Sequence, residues 1–153
     1  MTTCIVLSDS HNTMSLADCM DERFATADRI LHLGDGIRDQ QRLRELYPDK
    51  LVCVRGNCDP YGAEETILLE IEDARILMTH GHAFRVKSDT ALLHAECLFR
   101  EANCGLYGHT HIADIESLDS VTLINPGAWK DGNYCYLTVN GNRIFARNVH
   151  IRG

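Results

Sequence analysis

Five short polar clusters along this chain each follow directly on an apolar run. Asp9-Ser10-His11 follows residues 4–7, and Gly34-Asp35 follows residues 30–33. Gly56-Asn57-Cys58-Asp59 follows residues 51–54, His80-Gly81-His82 follows residues 76–78, and Gly108-His109-Thr110-His111 follows residues 106–107. An apolar run that ends in Asp, Asn or His reads as a buried strand handing a polar side chain to a loop. Five such events in succession constrain the fold to strands whose C-terminal ends converge on one place. The residue types gathered there are those of a metal site.

The spacing between the clusters sets the fold class. Residues 4–7, 30–33 and 51–54 read as strands. Residues 15–25 carry apolar residues at helical spacing (Leu16, Cys19, Met20 and Phe24), and residues 38–47 read as a second helix that ends before Pro48. This βαβαβ order predicts parallel strands joined by right-handed crossovers. Residues 66–71 and 75–79 flank Glu72-Asp73 and predict a hairpin. Residues 88–100 predict a third helix, with Ser88 as its cap. Four further strands are expected at residues 112–118, 121–124, 134–139 and 144–149, with turns at Asp119-Ser120 and Asn140-Gly141-Asn142. A parallel α/β half followed by an antiparallel β half predicts two packed sheets with helices outside.

Composition narrows the function. At 153 residues the chain suits one domain with a substantial core. No apolar run approaches the roughly 18 residues of a membrane helix, and the start lacks the basic segment and long apolar stretch of a signal peptide. A cytoplasmic protein is expected. The formal net charge of −7 argues against broad binding to nucleic acid or acidic membranes. A phosphate substrate remains compatible, because bound cations reverse the local potential. The seven cysteines are odd in number and form no CxxC pair, which argues against a disulfide framework or a zinc knuckle.

Taken singly, the clusters have ordinary readings. Asp9 and His11 are common in turns and caps, and Gly34-Asp35 usually marks a turn. Asn57 tolerates left-handed backbone. His80 and His82 are equally surface histidines or ligands. His109 and His111, one residue apart, suit two neighbouring ions. Together they offer two Asp, one Asn and four His at five strand-to-loop junctions.

In this order (Asp-x-His, Gly-Asp, Gly-Asn-x-Asp, His-Gly-His, Gly-His-x-His, then Asn125-Pro126-Gly127) the residues resemble the calcineurin-like metallophosphoesterases. The resemblance spans positions 9 to 127. In particular they resemble the small single-domain phosphodiesterases of the bacterial and archaeal group that also includes the eukaryotic retromer subunit Vps29. It implies an α/β fold, a four-layer αββα sandwich of two mixed sheets flanked by helices, in a single domain over residues 1–153. It also implies two divalent cations, Mn first, with Ni, Fe, Co or Zn as alternatives. One would be held by Asp9, His11, Asp35 and His111, the other by Asp35, Asn57, His80 and His109. Asp35 would bridge them beside a hydroxide that attacks a phosphodiester.

The sequence departs from the larger phosphatases at Cys58, where many of them carry a His that protonates the leaving oxygen. His82, a metal-bound water, or no acid at all are the alternatives. Asp59 reads as an orienter or as a turn residue. Arg85 and Lys87 read as phosphate contacts or solvated loop charges, and Tyr61 as a pocket wall or surface residue. Asn125 is expected to orient a neighbouring loop rather than bind metal.

The expected substrate is a small phosphodiester at an open site, with no stable nucleic-acid complex, no membrane and a homo-oligomer as an option. A Vps29-like interaction scaffold and a phosphomonoesterase or nucleotide hydrolase on the same site are the competing readings.

Overall fold

The computed structural model describes residues 1–151. The first half follows the expected βαβαβ order. Strand β1 (Thr2–Leu7) pairs in parallel with β2 (Arg29–His32), and β2 pairs in parallel with β3 (Leu51–Cys53). One element differs. Residues 15–25 form two short helices, α1 (Leu16–Cys19) and α2 (Glu22–Thr26), instead of one. Ser15 and Asp18 close a reciprocal capping box on the first. Asp21 then accepts a hydrogen bond from the Arg23 amide and starts the second. Helix α3 (Ile37–Leu46) connects β2 to β3.

The hairpin forms as expected, from β4 (Thr66–Ile71) and β5 (Ala74–Thr79). Helix α4 (Ala91–Phe99) begins later than expected, and Ser88 does not cap it. The Asp89 carboxylate, one residue nearer, accepts from the Ala91 amide at 2.9 Å. The short run before Gly108 is strand β6 (Cys104–Leu106). It is followed by β7 (Asp114–Leu118), β8 (Val121–Asn125), β9 (Asn133–Asn140) and β10 (Arg143–His150).

Among the described residues ten strands form two mixed five-stranded sheets, ordered β10-β9-β1-β2-β3 and β4-β5-β6-β8-β7. The division does not follow the two halves of the chain. Strand β9 returns to pair antiparallel with β1, while β5, β6 and β8 run parallel in the second sheet.

Alternation along the strands explains the layering. Cys4 and Val6 of β1, with Leu31 of β2 and Leu33 just beyond it, face Ile76, Met78, Leu106 and Ile124 of the second sheet. Ile5, Leu7 and Ile30 point the other way, onto Phe24 of α2 and Leu43 of α3. Leu77 and Leu123 cover the second sheet's outer face with Leu93 and Cys97 of α4. Each fully buried leucine contributes roughly 1.5–3 kcal/mol. The result is the αββα sandwich. Its parallel strands β1, β2 and β3 end at one edge, as do β5 and β6, and all five polar clusters leave from those ends.

Candidate metal centre

The loops leaving these strands are held in uncommon backbone conformations. Asp9, His11, Asp35, His109 and His111 all have φ between 50° and 70°. Such left-handed residues are uncommon outside glycine, with Asn, Asp and His the most tolerant; they cost about 1–3 kcal/mol each and persist only where the surroundings fix them. Cross-loop bonds do so here. The Asp9 amide donates to the Gly34 carbonyl at 2.9 Å, the His11 amide to the Asp35 carbonyl at 2.8 Å, and the Gly108 amide to the His80 carbonyl at 2.9 Å.

Two groups of ligand-type atoms result, each lying within 4.8 Å of one another: Asp9, His11 and His111, and Asp35, His80 and His109. In the first, His111 Nε2 is 3.1 Å from Asp9 Oδ1 and 3.4 Å from His11 Nε2. Asp9 Oδ2 is already occupied, accepting from the Ser8 hydroxyl at 2.6 Å and the His109 amide at 3.0 Å. Asp9 Oδ1 therefore faces the cluster. In the second, the Cys58 amide donates to Asp35 Oδ1 at 2.8 Å, and Asp35 Oδ2 faces His80 Nε2 at 3.2 Å. A third group, His11, Asp35 and Cys58, also lies within 4.8 Å, so Asp35 belongs to both sides.

His80 tests whether cations fit. Its Nδ1 donates to the Leu33 carbonyl at 2.8 Å, so in the neutral ring Nε2 carries a lone pair. That atom is fully buried, has no hydrogen-bond donor among the described residues, and faces the lone pairs of Asp35 and, at 3.8 Å, Asp9. Acceptors facing acceptors in a buried site need a proton or a cation between them. In the metal-free protein a proton fills this role below the raised His80 pKa. Burial pulls the His80 pKa down, but the hydrogen bond to Asp35 and the charges of Asp9 and Asp35 win and raise it above 6.5. Burial also acts to raise the Asp35 pKa, yet His80 and the Cys58 amide hold it far below the usual carboxylate range. The donor set fits divalent cations, which would take the place of that proton.

A polar frame behind the cluster fixes it. Asp59 accepts four backbone amides: Asp35 and Gly56 on Oδ2, both at 2.8 Å, and Gly36 and Ile37 on Oδ1 at 3.0 and 3.1 Å. It thereby caps α3, whose own N-cap residue Gly36 supplies no side chain. Of its two sequence readings, the orienter describes it. Asn125 is buried and donates to the Gly108 carbonyl and the Thr110 hydroxyl, which holds the loop carrying His109 and His111. Ser8, His32 and Gln40 were not marked by the motifs. His32 Nδ1 accepts from the Gly34 amide and Gln40 Nε2, so its Nε2 proton goes to the Ser10 hydroxyl at 2.9 Å, between Asp9 and His11. A histidine inside an apolar run was the available signal for this role.

The remaining candidates lie at the open side. Asn57 is exposed, and its amide nitrogen contacts Cys58 Sγ at 3.7 Å. His82 sits with its ring centre 5.6 Å from that of His80 and 6.2 Å from that of His109, and its Nε2 is 3.4 Å from Glu65. Arg85 and Lys87 are exposed, and the charge of Lys87 reaches His109. Tyr61 is 58% exposed, the surface position among its two readings.

Fold and site together define a hydrolytic metallophosphoesterase class. The calcineurin-like phosphoesterase superfamily domain matches residues 1–141, and the chain belongs to that family. It is 32% identical over 128 residues to the probable metallophosphoesterase YsnB of Bacillus subtilis, covering 81% of this chain and 73% of that protein. It is 30% identical over 149 residues to the phosphodiesterase YfcE of Escherichia coli, covering 79% and 76%. Among solved structures, a predicted phosphoesterase of Streptococcus pneumoniae superposes with a TM-score of 0.83 at 26% identity, covering 97% of this chain and 89% of that one. Vps29 of Cryptosporidium parvum shares the fold, with a TM-score of 0.82 at 17% identity over 99% and 92%.

Proposed function

We propose that this chain is a phosphodiesterase working with two divalent cations, Mn²⁺ first among them, held by Asp9, His11, Asp35 and His111 and by Asp35, Asn57, His80 and His109. The observation that carries this reading is the buried, donorless His80 Nε2 facing two carboxylates. When bound, the ions supply Lewis acidity, lowering the pKa of a water and neutralising the non-bridging phosphoryl oxygens. Asp9 and Asp35 offset only two of the four positive charges that two such ions bring, so the site favours an anionic ester despite the acidic chain.

The rest falls to the chain. Asp9 and Asp35 are oriented by amide and hydroxyl donors, so the ligand geometry is set before substrate arrives. His82, with Glu65 beside it, gives the proton to the leaving ester oxygen in this reading. Hydrolysis consumes one water. A new P–O bond forms, the ester P–O bond breaks, and the departing alcohol takes the proton. The diester choice is supported by the similarity to the phosphodiesterase YfcE. Seven unpaired cysteines suit a reducing, cytoplasmic setting.

The test is hydrolysis of bis(p-nitrophenyl) phosphate by Mn²⁺-loaded protein, expected to exceed that of p-nitrophenyl phosphate and to cease in chelator. Faster monoester cleavage would favour a phosphomonoesterase. Inactivity with Mn²⁺, Ni²⁺, Co²⁺ and Zn²⁺ alike would favour a Vps29-like scaffold.

A further inference from the structure

Beside the loop of His109 and His111, a cleft of about 520 Å³ opens on the outer face of the second sheet. Thr110, which lies between those two histidines, forms part of its wall, and so does Lys87, whose charge reaches His109. The cleft therefore adjoins the loop that carries those two histidines. Its character changes away from that loop. Ile112 adds an exposed apolar surface, and Asp114 and Glu116 follow along β7. Residues two apart on a strand share a face, so both carboxylates line the same wall. Since β7 starts three residues after His111, Glu116 lies deeper from the centre than Asp114.

Two features mark this wall as built for a ligand. Tyr107 is 97% buried, and its hydroxyl makes no hydrogen bond among the described residues although the side chain lines the cleft. The charges of Asp114 and Glu116 act on that hydroxyl. The Asp114 carboxylate has no hydrogen-bond or ion-pair partner among the described residues, and the Glu116 carboxylate accepts there only from the Thr90 hydroxyl, at 2.5 Å. The cleft thus has an unfilled phenol on its wall, two uncompensated carboxylates beside it and a lysine at its phosphate end.

We propose that this cleft receives one ester arm of the substrate, and that the arm is a short alkyl chain ending in an ammonium group, as in 2-aminoethyl phosphodiesters. Lys87 lies toward the phosphate, Ile112 covers the methylenes, and the ammonium donates to Asp114, Glu116 and the Tyr107 hydroxyl oxygen. This inference rests on the phosphodiesterase reading and adds the class of the arm.

Two diesters with the same leaving group separate the arm from the chemistry: p-nitrophenyl 2-aminoethyl phosphate and p-nitrophenyl propyl phosphate, its isostere with an uncharged arm. The Mn²⁺-loaded protein is expected to prefer the first in kcat/KM by about five- to tenfold, mostly through KM, as suits one or two partly exposed ion pairs. The ratio should fall towards one in Asp114→Asn, which breaks no internal hydrogen bond, and in Glu116→Gln. A wild-type ratio near one overturns the proposal, as does a preference that survives both substitutions. Turnover of bis(p-nitrophenyl) phosphate with no turnover of either alkyl ester also overturns it, while leaving the phosphodiesterase reading standing. Failure of every diester with every metal defeats the underlying reading instead.

Discussion

His80 Nε2 and Asp35 Oδ2 lie 3.2 Å apart in a fully buried contact, with the only proton of the neutral His80 ring already committed to the Leu33 carbonyl. The arrangement holds a place for a positive charge, and proton and cation compete for it. His80 has a folded-state pKa raised above its unfolded value, so its stabilising contribution to the metal-free protein is complete below about pH 6.5. That contribution is lost as pH rises through the folded value. Cation binding has the opposite dependence. Affinity for Mn²⁺, measured by calorimetry, should fall as pH drops through the raised His80 pKa, with protons released on binding. An affinity that stays constant as pH falls through that value would count against competition at His80.

Asp59 is expected to matter more for folding than its half-exposed loop suggests. Asp59→Ala leaves four amides without their acceptor and uncaps α3. A loss of about 2–4 kcal/mol is expected from charge-assisted bonds of this kind. Urea unfolding of the metal-free variant should show a lower midpoint at unchanged slope, and a midpoint like the wild type would refute the capping role.

Gly56 is required by crowding. A Cβ there would overlap Asp35 Oδ1. Gly56→Ala should displace the carboxylate and lower metal affinity by about 10- to 100-fold, the scale of lost ligand support. Wild-type Mn²⁺ affinity in this variant would show that Asp35 tolerates the shift.

His32 supplies a pH signature of its own. Burial pulls its pKa down to about 4, against nearby carboxylates that pull the other way. A depressed folded value means that the unfolded chain binds the proton first. Stability from this group is complete above about pH 6.5 and is lost as pH falls towards 4, at about 1.4 kcal/mol per pH unit where steepest. The metal-free wild type should lose stability faster than His32→Gln across that window. Parallel pH–stability curves would mean that His32 is not held neutral.

The strands and their order in the first half were legible because alternating burial and loop-forming residues are local properties. So were the five clusters, since each sits at the end of its own run. The split between α1 and α2 was less legible, because the apolar spacing of Leu16, Cys19 and Phe24 continues smoothly across the cap at Asp21. The return of β9 to β1 depends on which edge its alternating faces can cover, a choice made between distant parts of the chain. The roles of Asp59 and His32 have the same origin. An Asp in a turn and a His in a strand acquire their partners only when α3, β2 and the loop after β3 meet.

If two cations share Asp35, anomalous diffraction from Mn²⁺-soaked crystals locates both. Two peaks about 3.5–4 Å apart are expected, one among Asp9, His11 and His111, the other among His80, His109 and Asn57, with Asp35 between them. A single peak at saturating Mn²⁺, or two peaks that do not both contact Asp35, would contradict that sharing.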